Sequence, residues 1–372
     1  MFIKKIFLLA LLGSILLACQ QSIPRKEIDV PIDPHASEED FIQLAWFYKP
    51  PEDGTSLAVL AQKFDTFILT HYDEDERDEL RQLGVDNPVL EYLLFVQIQD
   101  PGSCNKTPYG NQVAYKVGDF CSLSIEHPDW FLRDENGEMI RKGKNVYMDP
   151  GNSGYREFWL ERAEELQNLY GWEGLFIDNV EASLNKFKRI GKLPAKYPDD
   201  ESYQIAMEGF LAYIDEHIQY RPVYANIVEC EDNSLWLGYL SFLDGAMIED
   251  FAVGYNERYY LPVDWEKQLL MVVEAQKMKK PLILISQGQK NNLDREKFSF
   301  ASYLLISGGN LSFRYTDSDF YGDVWFYENY FFPLGMPTSG YYEFEGGWRR
   351  DFTKGYVYVN PVLHESEIEV WQ

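Results

Sequence analysis

The sequence predicts an α/β protein, a (β/α)8 TIM barrel with a small C-terminal β appendage. Three observations carry that expectation. Eight short apolar runs bounded by turn residues alternate mostly with amphipathic helical stretches, which implies parallel strand pairing. About 340 residues follow an N-terminal leader, enough for one large barrel. Almost every apolar run ends on a polar side chain, the arrangement of a barrel whose strands deliver functional groups to one rim. A doubly wound open sheet is the alternative architecture.

The strand candidates are Ile42–Tyr48, Thr66–His71, Leu90–Ile98, Leu175–Ile177, Val223–Ile227, Ala246–Ile248, Leu282–Ser286 and Leu311–Tyr315. Among the intervening helical stretches, Tyr155–Tyr170 places Trp159, Ala163, Leu166 and Tyr170 on one face, with Asn152 or Ser153 available as N-cap. Tyr203–Gln219 and Asp264–Lys280 read similarly, the latter with lysines near its end, where the helix dipole favours them. One connection, Pro101–Met148, is too long for a simple turn; loops of that size are functional or carry small structure of their own. Past the eighth run the pattern changes to short alternating aromatic segments, Gly340–Glu345 and Gly355–Val359. The expected division is therefore a barrel over residues 37–330 and a β appendage packed on it over 331–372.

Residues 1–18 read as a signal peptide. Lys4 and Lys5 precede an apolar stretch, Ile6–Ala18, that is too short to span a bilayer. Its end, Leu16-Leu17-Ala18-Cys19, resembles the bacterial lipobox, which implies cleavage before Cys19 and lipidation of its thiol; a plain cleaved signal is the alternative. Residues 19–36 would then be the lipidated terminus and a polar, proline-bearing tether. The expected location is extracytoplasmic, lipid-anchored to a bacterial membrane.

Acidic residues outnumber basic ones, 60 to 34, a formal charge of −26 that argues against nucleic acid and accommodates a neutral or cationic ligand. A solvated acidic surface accounts for most of that charge. The chain has 26 Tyr, 24 Phe and 9 Trp; many must be core, but ring faces also stack on sugar faces in polymer-binding clefts. Cys104 and Cys121 flank one loop and can close it as a disulfide in an oxidising compartment, leaving Cys230 as a buried thiol. Five scattered histidines without zinc-site spacing argue against a metal, and no cofactor is expected. The chain is expected to be a monomer.

The stretch Gly171–Val180 places an apolar run, Leu175-Phe176-Ile177, before Asp178 and Asn179, and Asp244–Phe251 repeats the design before Glu249 and Asp250. A carboxylate at the end of a buried strand is costly unless used. Other expected strand ends carry Tyr48, His71-Tyr72-Asp73, Gln97 and Gln99, Asn226, Gln287 and Gln289, and Arg314. Such a rim suits a polar, hydroxyl-rich ligand.

Five segments in this order carry a family resemblance: Tyr147-Met148-Asp149-Pro150-Gly151-Asn152, Gly174 to Val180, Tyr224-Ala225-Asn226, Gly245 to Asp250, and Arg350 to Pro361. They resemble the glycoside hydrolase-like TIM-barrel proteins of the hypothetical glycosyl hydrolase family 15 type, similar in turn to endo-α-1,4-galactosaminidases. The resemblance covers most of the chain from about Phe41 onward. It implies catalytic carboxylates after the fourth and sixth strands, positions matched by Asp178 and Glu249.

Glycoside cleavage needs one carboxylate to attack or stabilise an oxocarbenium-like centre and one carboxylic acid to protonate the leaving oxygen. Asp178, short and held at a strand end, suits the nucleophile. Glu249, longer and following an apolar run, suits the acid/base because burial raises its pKa. Asp250 and Glu181 compete; alternation along a regular strand keeps Glu249 and Asp250 from sharing one face, and Glu181 reads as a rim or capping group. The expected substrate-binding residues are Tyr48, Tyr72, Asp149, Asn179, Asn226, Asp250, Gln287 and Arg314. Tyr48 and Tyr72 are preferred as stacking rings over Trp46, Trp130 and Tyr255. Helix capping competes for Asp149, and a structural ion pair for Arg314. The expected activity is retaining hydrolysis of a poly- or oligosaccharide at the cell surface. A non-catalytic carbohydrate-binding lipoprotein on the same scaffold is the alternative, and a polysaccharide deacetylase is disfavoured by the scarcity of histidine.

Overall fold

The computed structural model describes residues 26–371, so the leader and Cys19 lie outside the described residues. Eight strands close into a barrel: β1 Gln43–Phe47, β2 Thr66–Leu69, β3 Val89–Leu94, β4 Gly174–Glu181, β5 Val223–Val228, β6 Gly245–Ile248, β7 Leu282–Gln287 and β8 Leu311–Thr316. They pair in parallel and in chain order, and β8 closes onto β1 through Ser312↔Gln43 and Phe313↔Leu44.

Alternation along each strand divides the apolar side chains between two cores. Ala45, Phe47, Ile68, Leu90, Phe176, Met247, Ile283 and Ile285 fill the barrel interior. Their strand neighbours, such as Trp46, Leu69, Leu93, Ile177, Ala225 and Leu284, belong to the larger core outside it. Two glycines open β4 and β6 because nothing larger fits there. A Cβ on Gly174 would lie 2.6 Å from Leu90 Cδ2, and one on Gly245 would lie 2.7 Å from the Pro281 carbonyl oxygen.

The expected helices are present with small changes at their ends. Helix Ser153–Tyr170 buries Trp159, Ala163 and Leu166, and the Asn152 side chain accepts from the Tyr155 N–H at 3.2 Å. The helix expected at Tyr203–Gln219 runs Asp200–His217, because Asp199 caps it one turn earlier by accepting from Ser202 N–H. The third expected helix runs Pro262–Lys277 and starts at a proline, whose fixed φ and missing donor suit a first turn.

Three segments differ from expectation. The third apolar run is not one strand: β3 stops at Leu94, and Gln97–Gln99 turns away to pair antiparallel with Asn145–Tyr147, which in turn pairs with Arg141–Lys142. The long connection thus carries its own three-stranded sheet, a helix at Asp119–Glu126, and the Cys104–Cys121 disulfide. β4 runs on past Ile177 to Glu181 through an irregularity in its pairing with β5, where Ile177 faces Ala225 and the next partners are Val180 and Ile227. Asn179 takes φ 62° at that bulge.

The third difference concerns the N-terminus. The expected tether is docked from Lys26 onward: Glu27–Ile28 pairs antiparallel with Tyr341–Phe344, and Val30 is buried. It forms the edge of a five-stranded antiparallel sheet with β9 Tyr341–Phe344, β10 Gly347–Phe352, β11 Gly355–Asn360 and β12 Glu365–Val370. Arg350, fully buried in β10, ties this sheet to the barrel's last helix by donating to the carbonyls of Leu304 and Ser307 at 3.0 and 2.6 Å.

Candidate active site

Asp178 on β4, Asn226 on β5 and Glu249 just past β6 continue the inward alternation of Phe176, Tyr224 and Met247, so their side chains converge at the C-terminal mouth of the barrel. Asn226 joins the two acids. Its Nδ2 donates to Asp178 Oδ1 at 3.0 Å and to Glu249 Oε2 at 3.0 Å. Two acceptors of one nitrogen at these distances cannot lie more than about 6 Å apart.

The remaining carboxylate oxygens are held by other groups. Asp178 Oδ2 accepts from Asn179 Nδ2 at 2.6 Å and from the Tyr92 hydroxyl on β3. Asn179 is itself fixed by Lys186, whose Nζ donates to its Oδ1 at 2.5 Å and pairs with buried Glu181 at 2.8 Å. Glu249 Oε1 accepts from the Tyr321 hydroxyl at 2.8 Å, and that hydroxyl accepts from Gln287 Nε2 at 3.0 Å. Burial pushes the Glu249 carboxyl above the usual carboxylate range, and the nearby Asp178 charge pushes it further; the Tyr321 and Asn226 hydrogen bonds act in the opposite direction. A cavity of 550 Å³ runs from Asn226 and Glu249 past Asp250, Tyr255 and Tyr260.

Of the residues expected to bind substrate, the structure gathers Tyr48, Asn179, Asn226 and Gln287 around the acids. Tyr48 packs its ring on Tyr92 with centroids 5.0 Å apart, and burial followed by the Asp73 and Asp178 charges raises its pKa. Asp250 lines the same cavity as Glu249, where its Oδ2 accepts from the Tyr260 hydroxyl, and burial raises its pKa.

Three expected binders stand apart from the acid pair. Tyr72 lies against His71 with centroids 4.1 Å apart, and its hydroxyl donates to the Tyr115 carbonyl. Asp149 is buried, with Lys196 Nζ and the Tyr197 hydroxyl at 2.5 Å and the Gly151 N–H at 2.9 Å, so it organises the turn before helix Ser153–Tyr170. Among the described residues, Arg314 touches neither acid and forms no ion pair. Its guanidinium donates to the carbonyls of Phe47, Tyr321 and Asp323 and lies 4.1 Å from the Trp46 ring, and burial drops its pKa to about 9. It thereby ties the end of β1 to the loop that carries Tyr321.

Glu181 is the buried counter-charge of Lys186 and not a rim group. Trp46 is fully buried, and Trp130 stacks on His127 at 3.9 Å. Tyr255, a lesser candidate in the sequence, lies over the site: its ring is partly exposed and its pKa is raised by burial and by the charges of Asp250, Glu249 and Asp178. Tyr92 and Tyr321 are the residues that sequence reasoning missed. Tyr92 had a usable signal, since it shares the inward parity of Leu90, whereas Tyr321 sits in a loop with no periodicity.

A closed parallel barrel with two bridged carboxylates at its C-terminal mouth is the architecture of a TIM-barrel glycoside hydrolase. The chain belongs to hypothetical glycosyl hydrolase family 15, whose sequence profile matches residues 86–356, and it is accordingly a glycoside hydrolase acting on carbohydrate. The fold is similar to that of the glycoside hydrolase domain of PelA from Pseudomonas aeruginosa, at 15% identity and TM-score 0.50, covering 74% of this chain and 94% of that one. An alpha-amylase from Malbranchea cinnamomea aligns at 9% identity and TM-score 0.49, covering 88% and 86% of the two chains. A comparison against curated proteins finds no match.

Proposed function

We propose that the protein cleaves a poly- or oligosaccharide with retention of anomeric configuration, Asp178 serving as nucleophile and Glu249 as general acid/base. The observation that carries this reading is the pair of Asn226 hydrogen bonds, 3.0 Å to each acid. Double displacement uses carboxyl groups about 5–5.5 Å apart, whereas inversion needs roughly 6.5–9.5 Å to admit a water. An amide that spans both acids favours the closer spacing.

The two environments divide the roles. Asp178 accepts from Asn226, Asn179 and Tyr92, three donors that stabilise a carboxylate. Glu249 is buried beside that charge and keeps its proton to higher pH. In the first step Asp178 attacks the anomeric carbon as the bond to the leaving oxygen breaks, and the Glu249 proton passes to that oxygen. In the second, Glu249 takes a proton from water, whose oxygen displaces Asp178 and frees the sugar. Tyr48 and Tyr255 present partly exposed rings to the sugar, and Asp250 bounds the cavity on its far side.

The mature chain is proposed to be a lipoprotein held outside the cytoplasm through Cys19, on the strength of Leu16-Leu17-Ala18-Cys19. Proton NMR of the first-formed product tests the chemistry: the retained anomer is expected. An inverted first product would recast Asp178 as a base acting through water.

A further inference from the structure

We propose that the catalytic rim faces the lipid bilayer, contacting it through apolar side chains beside the point where the lipid-bearing segment leaves the fold. This rests on the proposed lipidation of Cys19. Only six residues, Gln20–Arg25, separate Cys19 from Lys26, the first described residue. Fully extended, that stretch reaches about 25 Å, less than the roughly 50 Å across a compact domain of this length, so the point of departure determines which face meets the membrane.

The strand register locates that point. Glu27 and Ile28 pair with Tyr342 and Tyr341, and the Glu343 N–H donates to the Lys26 carbonyl. Followed toward the N-terminus, the described chain from Ile28 to Lys26 therefore points to Phe344 and the turn at Glu345-Gly346. In the antiparallel sheet, the turn between β11 and β12, residues 361–364, lies at that same end. This end abuts the catalytic rim: His364 stacks on Tyr259 at 4.1 Å, and Tyr259 belongs to the loop after β6 whose next residue, Tyr260, holds Asp250. A second link is independent of the first, since Lys26 pairs with Glu266 in the opening turns of helix Pro262–Lys277, which starts at the catalytic face.

Four large apolar side chains project from these elements. Leu261 and Val263 are 67% and 68% exposed, and Val362 and Leu363 are 63% and 60% exposed. Isolated exposed apolar residues are ordinary, but these flank the exit of a short lipidated segment. Acids Glu343, Glu345 and Glu365 occupy the same end and repel an anionic surface. The fitting partner is thus a bilayer with neutral headgroups, reached by the acyl chains and these side chains together, because one acyl chain alone binds only marginally. In this pose the cleft opens within one short tether of the lipid, and the glycan is cut close to the membrane surface.

The test uses full-length protein isolated from membranes, in a Cys230→Ser background, returned to phosphatidylcholine vesicles that carry nitroxide-labelled lipid. A fluorophore is placed by Leu363→Cys at the proposed contact or by Tyr220→Cys at the opposite end of the barrel, where Tyr220 is almost fully exposed. Several-fold stronger quenching at position 363 than at 220 is expected, and a Gly/Ser insert of about twenty residues after Ser22, spanning roughly 25 Å, should reduce that difference. Mass spectrometry of the N-terminal peptide reads acylation separately. An acylated Cys19 with equal quenching at both positions overturns the orientation alone; an unmodified Cys19 overturns the anchoring reading and this inference with it.

Discussion

Asn226 donates from Nδ2 to Glu249 Oε2 at 3.0 Å while the same nitrogen reaches Asp178 Oδ1 at 3.0 Å. The contact is partly buried and fixes the separation of the two acids, so Asn226→Ala should act on turnover and not on substrate affinity. A fall in kcat of roughly 10–10²-fold with KM changed only a few-fold is expected, a loss confined to the transition state. Steady-state kinetics checks it; a large rise in KM at unchanged kcat would return Asn226 to a substrate-binding role.

The two acids should be separable by leaving group. Glu249→Gln is expected to lose roughly 10²–10⁴-fold on a natural glycan, where the departing oxygen needs a proton. On an aryl glycoside with a stable phenolate, the same variant should recover most of its glycosylation rate. Asp178→Asn should be inactive on both, because no leaving group replaces the nucleophile. Activity retained in Glu249→Gln but lost in Asp250→Asn would transfer the acid role to the neighbour.

Tyr321 tunes Glu249. Its hydrogen bond lowers the Glu249 pKa against the raising effects of burial and of Asp178. The proposed mechanism starts from protonated Glu249, so activity should fall as pH rises through that pKa. Tyr321→Phe removes a donor to the charged form, and the alkaline limb of kcat/KM should move to higher pH. An alkaline limb that moves down, or stays in place, would show that another group sets it.

A second buried carboxyl should report on stability. Glu296, 2% exposed and hydrogen-bonded to Asn329, is pushed up to about 8 by burial. Its unfolded value is near the ordinary carboxylate range, so between about pH 4 and pH 8 the folded state binds more protons than the unfolded state. Stability from this group is then present at low pH and falls as pH rises through that window. Glu296→Gln keeps an acceptor for Asn329 and cannot ionise. Denaturant melts should show the variant gaining on wild type from pH 5 to pH 9, by a few kcal/mol in order of magnitude. A difference independent of pH would show that Glu296 is already ionised in the fold.

The barrel was legible because its signals are local and repeated. Eight apolar runs at helix-sized spacing imply parallel strands, and the inward parity of Phe176 and Met247 leads to Asp178 and Glu249. The same parity rule expects Asp250 outside the pair, and in the structure its carboxylate is held by Tyr260 while Glu249 is held by Asn226 and Tyr321. Asp149, Tyr72 and Arg314 were legible as polar groups near strand or helix ends but not in direction. Asp149 meets Lys196 and Tyr197, and Arg314 meets the carbonyls of Phe47, Tyr321 and Asp323; each of these distant partners is set by folding.

By itself, the sequence determined the alternation of strands and helices, the family, and which strands end in acids, because periodicity and short motifs are properties of neighbouring residues. Only the tertiary structure decided that one amide spans both acids and that Tyr321 reaches Glu249. It alone showed Lys26 to Ile28 docked as the edge of the C-terminal sheet. These contacts join residues 48, 23, 72 and more than 300 positions apart. No local propensity encodes them; they exist because closing the barrel brings strand ends together and leaves an open sheet edge whose backbone groups need partners.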